Sequence, residues 1–227
     1  MQKILIVLTN TTRYHGTNDA TGLWLGEATE FVTEMNRANI PVDYVSPKGG
    51  FVPLDTRSMK YATAADMAIY ESSDFQKRAL MHSLKPAEID PKAYAAIYYT
   101  GGHGVMWDFP GNTELQHLTT QIFEQGGYVT SVCHGIAGLL NVKTTDGQYL
   151  IQGKQITGFT TTEEILANKK KVVPFLNEKV AKAHGAHFVK KRAYRDFVVV
   201  DGTLITGQNP FSAQSVAQRL VAALHQA

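Results

Sequence analysis

Five short apolar runs constrain what this chain can fold into. They are ILIVLT at 4–9, VDYVS at 42–46, AAIYYTG at 95–101, YVTSVC at 128–133 and TLITG at 203–207. Each is rich in β-branched and aromatic residues and gives way to glycine or polar residues, as strands buried on both faces do. Helical patterns separate them. Residues 22–37 place Leu23, Trp24, Ala28, Phe31, Val32 and Met35 at helical spacing, and residues 113–125 and 211–225 read the same way. Strands alternating with helices predict an α/β fold, a mostly parallel sheet with helices on both faces. FVVVDGTLITG at 197–207 reads as a hairpin with Asp201-Gly202 as its two-residue turn.

One stretch breaks the alternation. Residues 48–93 hold Gly49, Gly50 and Pro53, a helical segment near 64–83, then Pro86 and Pro91. The stretch is too short for a core of its own. It reads as an insertion packed on the sheet edge or over a site, within a single domain spanning 1–227. A hydrophobic fraction of 44% and a charged fraction of 19% are those of a soluble globular protein. A net charge of +2 gives no electrostatic case for nucleic acid or an anionic membrane. The only basic run, Lys169–Lys171, reads as a solvated face. No apolar stretch is long enough to span a bilayer. The opening MQKILIVLTN lacks the longer apolar region and cleavage site of a secretory signal. One cysteine rules out an internal disulfide or a multi-cysteine metal site. A reducing cytoplasm is the expected setting.

That cysteine lies in TSVCHGIAGLLN, residues 130–141. Cys133 falls where the apolar strand at 128–132 meets a helix expected over about 134–141. Strand, tight turn, nucleophile and helix make a nucleophile elbow, and the residues two before and two after must be small. Here they are Ser131 and Gly135. Unpaired N–H groups at the helix start favour the thiolate, the reactive form. The position, beyond the carboxyl end of a strand, is where open α/β sheets bind ligands. A free cysteine elsewhere is usually a buried small hydrophobe. Small neighbours, the strand end and His134 separate Cys133 from that ordinary case.

YYTGGHGVMWDFP at 98–110 also follows a strand and turns on three glycines. The N–H groups of Gly102 and His134 could form an oxyanion hole for a carbonyl attacked by Cys133. A lone GGHG is by default a plain turn, and its His103 a structural hydrogen-bonder. Glu27 falls between Leu23 and Phe31 at the edge of an apolar helix face. A carboxyl there is partly buried, its pKa is raised, and it suits a general acid or base. Glu34 projects in nearly the same direction.

Taken together, KILIVLT, TGLWLGEA, VDYVSPKGG, YYTGGHGVMWDFP, GGYVTSVCHGIAGLL, GKQITGFTTTEE and DGTLITGQNPFSAQS resemble the ThiJ/PfpI superfamily, relatives of the class I glutamine amidotransferase domain. The match is best in its heat-shock chaperone and glyoxalase III branch. The resemblance spans nearly the whole chain, insertion included. It implies a flavodoxin-like three-layer sandwich with a nucleophile elbow. It gives Cys133 the role of reactive cysteine, Glu27 that of the acid beside its sulfur, and His134 that of the triad histidine. The triad acid falls in GFTTTEE, at Glu164 or, one residue away, Glu163. Gly102 and His134 carry over as backbone oxyanion donors. The branch's glyoxalases act on a small 2-oxoaldehyde without cofactor, so the implied activity is a glutathione-independent glyoxalase of the D-lactate dehydratase (lyase) type. Unfolded or glycated proteins are further implied partners, and a homodimer the implied assembly.

Three other readings compete with it. A stress holdase would use an exposed apolar patch, with Trp107, Phe109 and Phe51 as candidates. An amidase or peptidase could use the same triad. Oxidation of Cys133 could serve redox sensing. VKKRAYRDF at 189–197 is more basic than the corresponding stretch of the glyoxalase-type relatives and could border the pocket. No equivalent of the metal-binding set of some chaperone relatives is evident, so neither metal nor cofactor is expected.

Overall fold

Successive side chains of a strand point to opposite faces, so an uninterrupted apolar run must be covered on both. In the computed structural model, which describes residues 3–226, the runs satisfy this requirement. Met1, Gln2 and Ala227 lie outside the described residues. The strands are β1 (Lys3–Val7), β2 (Val42–Val45), β3 (Tyr94–Tyr99), β4 (Tyr128–Val132), β5 (Gln155–Ile156), β6 (His187–Phe188), β7 (Val198–Asp201) and β8 (Leu204–Gly207). Six of them form one sheet in the order β2-β1-β3-β4-β8-β7. All neighbours in it are parallel except β7 and β8. The short β5 and β6 pair separately.

Alternation divides the core. Ile4, Ile6, Ala96, Tyr98 and Ile205 pack on one face beneath α1 (Leu25–Arg37) and α7 (Ala213–Leu224). Leu5, Val7, Ile97, Tyr99 and Val129 pack on the other beneath α3 (Val105–Asp108), α4 (Thr113–Glu124) and α6 (Asn177–Ala183). The remaining helices are α2 (Ala64–Tyr70) and α5 (Thr161–Leu166). Layers of helix, sheet and helix match the expected sandwich.

The stretch at 48–93 bridges the end of β2 through Leu84 and Val45 and contributes to the lining of the cavity. Thr63 closes a capping box with Asp66 at the start of α2. A wide π-type turn, Phe75–Met81, buries Phe75, Ala79 and Leu80 against the α1 face. Arg57, Ser58, Lys60 and Tyr61 reach over that cavity, at the carboxyl edge of the sheet. The single helix expected near 64–83 is therefore two segments.

Two local expectations need correcting. Asp201 pairs with Leu204, so the hairpin turn is Gly202-Thr203, not Asp201-Gly202. Gly202 supplies the positive φ (61°) at the first turn position, the geometry of a type II′ turn. The segment after Cys133 is a 3₁₀ turn over Cys133–Gly138, not an α-helix over 134–141. Glycines at 135 and 138 let it lie flat on β3. A Cβ on Gly135 would fall 2.2 Å from the Tyr99 carbonyl oxygen, and one on Gly138 would strike the Tyr99 ring.

α1 is anchored by an aromatic stack. The rings of Phe31 and Tyr98 lie 3.7 Å apart at 8°, and the Tyr98 hydroxyl donates to the Glu27 carbonyl at 2.8 Å. Phe31→Ala should cost about 3–5 kcal/mol of stability, read as a lower urea midpoint with the slope unchanged. A loss under about 1 kcal/mol would mean that α1 is held by other contacts.

Candidate functional site

The loops leaving the carboxyl ends of β3 and β4 meet at the floor of a cavity of about 570 Å³ lined by Gly102, His103, Cys133, His134, Phe159 and Tyr194, among others. Cys133 holds a left-handed backbone conformation, φ 57°, immediately after β4. A non-glycine residue there stores about 1–3 kcal/mol of strain. The surrounding bonds enforce it, including Phe159 N–H donating to the Cys133 carbonyl at 3.0 Å. Ser131 and Gly135, the small neighbours expected of an elbow, are both buried.

Cys133 Sγ lies 3.3 Å from His134 Nδ1, and His134 Nε2 lies 3.0 Å from Glu164 Oε2. Burial opposes charge on Glu164, but His134 and His103 hold its carboxyl down at about 2. An ionised carboxylate only accepts hydrogen bonds, so both histidine nitrogens facing it carry protons. In its neutral form His134 then presents a bare Nδ1 to the thiol, the arrangement of a nucleophile, a base and an orienting acid.

The two glutamates differ in what they contact. Glu163 Oε2 accepts from the Thr160 N–H and hydroxyl, and Oε1 from the Gln208 and Asn209 amides and the Tyr194 N–H. Glu163 is the N3 partner of a capping box, and Glu164 is the one that reaches His134.

Glu27 is fully buried, not partly as its helix-edge position suggested. Its Oε2 accepts the Gly101 N–H at 2.6 Å, and Oε1 lacks a hydrogen-bond partner. Burial pushes its pKa up to about 8, with the Cys133 thiol and the Gly101 N–H pulling the other way. Glu34 instead pairs with Arg37 at 2.6 Å.

The expectation that the elbow favours thiolate meets a correction. Burial, then the neighbouring Glu27, push the Cys133 thiol well up, and only the His134 N–H opposes them. The physical reason is burial beside a carboxyl, and the short 3₁₀ segment presents less dipole than the expected α-helix would to offset it. The sulfur becomes charged only in concert with its neighbours. Near neutral pH Glu27 is largely protonated and repels the thiolate little, and His134 can take the proton opposite anionic Glu164.

Gly102 adopts φ 97°, and a Cβ there would fall 2.3 Å from the Gly22 carbonyl oxygen. Gly102 and His134 both line the cavity, where N–H groups could meet a developing oxyanion.

Two residues given no site role from the sequence, one read there as a structural hydrogen-bonder and one in the segment read as bordering the pocket, also lie here. His103 Nε2 lies 2.9 Å from Glu164 Oε1, and its signal was its place in GGHG. Tyr194, with φ 55°, brings VKKRAYRDF to the cavity, whereas Lys190 in that segment pairs with Glu178. His103, His134 and Glu164 also form a group whose donor atoms lie within 4.8 Å of one another, a set that could bind a divalent ion. Those nitrogens and oxygens already satisfy one another by hydrogen bonds. Of the aromatics considered for a holdase surface, Phe109 is buried and Trp107 packs against the core, while Phe51 is exposed. Among the described residues no helix is long and apolar enough to cross a membrane.

A model of the DJ-1/PfpI family matches residues 20–223. The chain is 32% identical to the glutathione-independent glyoxalase HSP31 of Saccharomyces cerevisiae and 29% identical to glyoxalase 3 of Candida albicans, each over 98% of both chains. Among solved structures it is similar to the Rapid Encystment Protein 24 kDa of Francisella tularensis, with TM-score 0.95, 33% identity and 99% of each chain covered. It is also similar to glyoxalase III from Candida albicans, with TM-score 0.87, 29% identity and coverage of 98% of this chain and 97% of that one.

The Glu27 shift has a consequence for stability. Its pKa is raised on folding, so the folded state binds the proton more tightly than the unfolded chain does. Stability from this group is therefore greatest at low pH and is lost as pH rises from about 4.5 to about 8. Glu27→Gln should remove that slope: urea midpoints of wild type should fall relative to the variant between pH 5 and pH 8. Parallel midpoints at the two pH values would contradict a neutral buried Glu27.

Proposed function

The chain belongs to the DJ-1/PfpI family, and from that premise we propose that it is a glutathione-independent glyoxalase converting methylglyoxal and water to lactate without a cofactor. The observation that carries this reading is the line Cys133–His134–Glu164 at the floor of the cavity, with buried Glu27 beside the sulfur.

The chemistry needs a nucleophile for the aldehyde and a carrier that moves one proton between adjacent carbons. His134 Nδ1 takes the thiol proton as sulfur bonds to the aldehyde carbon C1. The aldehyde electron pair moves onto oxygen, which the Gly102 and His134 N–H groups stabilise and which receives a proton from Glu27. Glu27, now a carboxylate, removes the C1 hydrogen as a proton. The electron pair left behind forms the C1–C2 double bond of an enediol, and the ketone oxygen receives the proton held by His134. Glu27 then delivers its proton to C2, and the C1 hydroxyl proton returns to His134, leaving a lactoyl thioester on Cys133. Water then attacks that thioester, giving one proton to Glu27, while His134 returns its proton to the departing sulfur; the lactic acid released ionises to lactate. A carboxyl with a pKa of about 8 is suited to both halves of this transfer, because it neither holds nor sheds its proton strongly near neutrality.

The purified protein should form lactate from methylglyoxal in the absence of glutathione. Cys133→Ala should reduce kcat/KM by about 10³-fold or more, the scale of losing a covalent nucleophile. Glu27→Gln should lower kcat by about 10²–10⁴-fold, as for a general acid–base group. Lactate formation undiminished in Cys133→Ala would exclude the mechanism.

A further inference from the structure

Glu164 faces two histidines, and the mechanism above uses only one. The other, His103, is buried, and its ring packs against His134 with centroids 4.1 Å apart. Tyr14 at 5.4 Å and Phe159 at 6.1 Å enclose it further. Its backbone is equally constrained. It follows Gly102 at φ 97°, and a Cβ on Gly104 after it would meet Thr9 and Thr11 at 3.2 Å. A rigid donor is thus aimed at Glu164 Oε1 from β3, while His134 approaches Oε2 from β4.

A glutamate has three side-chain torsions, and one hydrogen bond leaves its carboxylate free to rotate off its partner. α5, which carries Glu164, is only six residues long and leaves Ile165 and Leu166 exposed at its far end. Glu163, the adjacent carboxylate, is occupied by its own five hydrogen bonds to Thr160, Tyr194, Gln208 and Asn209. We propose that His103 is a positioning residue: its Nε2–H holds one oxygen of Glu164 so that the other stays on His134, keeping the Cys133–His134–Glu164 line in register. This rests on the reading of Cys133 as the nucleophile.

The electrostatics fit such a role. Burial and then the charge of His134 hold His103 down at about 4, against the pull of Glu164, so it donates as a neutral ring. The negative charge of Glu164 therefore remains available for the imidazolium that His134 becomes. Besides His134 and Glu164, Arg57 acts on His103 and is itself paired with Asp55, and Tyr14 is a ring neighbour of His103. The ionisable side chains acting on the sulfur are Glu27 and Glu163, and the sulfur in turn acts on Tyr98 and Tyr194. None of these bonds to Glu164.

The test is the rate at which iodoacetamide alkylates Cys133, followed against pH, because it reads the thiolate–imidazolium pair without depending on any enzymatic turnover. Wild type, His103→Ala and His103→Gln are compared, with thermal unfolding to confirm that each is folded. Gln keeps an N–H donor within reach of Oε1, and Ala removes it. In His103→Ala the imidazolium loses a fixed counter-charge, so the thiol pKa should rise by about one unit and alkylation at pH 7 should slow about tenfold. His103→Gln should recover to within about threefold of wild type. The glyoxalase kcat should follow the same order, with KM changing little. Absence of lactate formation in wild type would defeat the proposed activity yet leave this comparison intact. A His103→Ala alkylation profile that overlays wild type would overturn the proposal. So would a His103→Gln profile as displaced as that of His103→Ala, since the ring would then matter only as packing.

Discussion

The left-handed backbone at Cys133 is the constraint on which the rest of the site depends. A strand that continued in extended geometry would carry the chain straight on past the carboxyl edge of the sheet. The turn at φ 57° instead holds residue 133 at that edge and directs the chain back across β3. That reversal works only because Gly135 and Gly138 allow the following turn to lie against Tyr99 and Thr100. The same edge receives GGHG from β3 and Glu27 from α1, so three distant parts of the chain converge at one sulfur. The strain is local, and the packed core on both sheet faces holds it in place.

Charge at this site is regulated by withholding water. A thiolate alone would be costly here, and so would a carboxylate at Glu27. The arrangement avoids both by keeping Glu27 largely protonated near neutrality and by giving the one firmly ionised group, Glu164, two histidine donors. Proton positions are thus interdependent. Removing a donor from Glu164 alters His134, and through His134 the sulfur, although the altered residue never touches substrate.

Much of this was legible in the chain because it rests on local periodicity. Apolar runs marked the five parallel strands of the main sheet to within two residues but not the two-residue strands β5 and β6, too short to leave a run, and the strand end at 132 marked Cys133. Glu27 stood out as a carboxyl beside an apolar helix face, though the extent of its burial depends on Gly101, seventy-four residues away. The pairing of His103 with Glu164 spans sixty-one residues and leaves no local pattern. The choice between Glu163 and Glu164 was nearer to hand. Thr160 followed three residues later by Glu163 has the form of a capping box, which engages Glu163 and leaves Glu164 free. The hairpin turn was misplaced by one residue because Asp-Gly is a strong turn signal, whereas Asp201 instead ends the strand and accepts from Gln155 N–H and Lys154.

The central claim is that Glu27 is a neutral acid at physiological pH, able to give and take one proton beside the sulfur. The direct measurement is its carboxyl stretch in the infrared, taken as a difference spectrum between wild type and Glu27→Gln across pH 5 to 10. A protonated-carboxyl band present at pH 7 and lost with a midpoint near 8 is the predicted result. A band already absent at pH 6 would place a full negative charge beside the thiol and contradict the account.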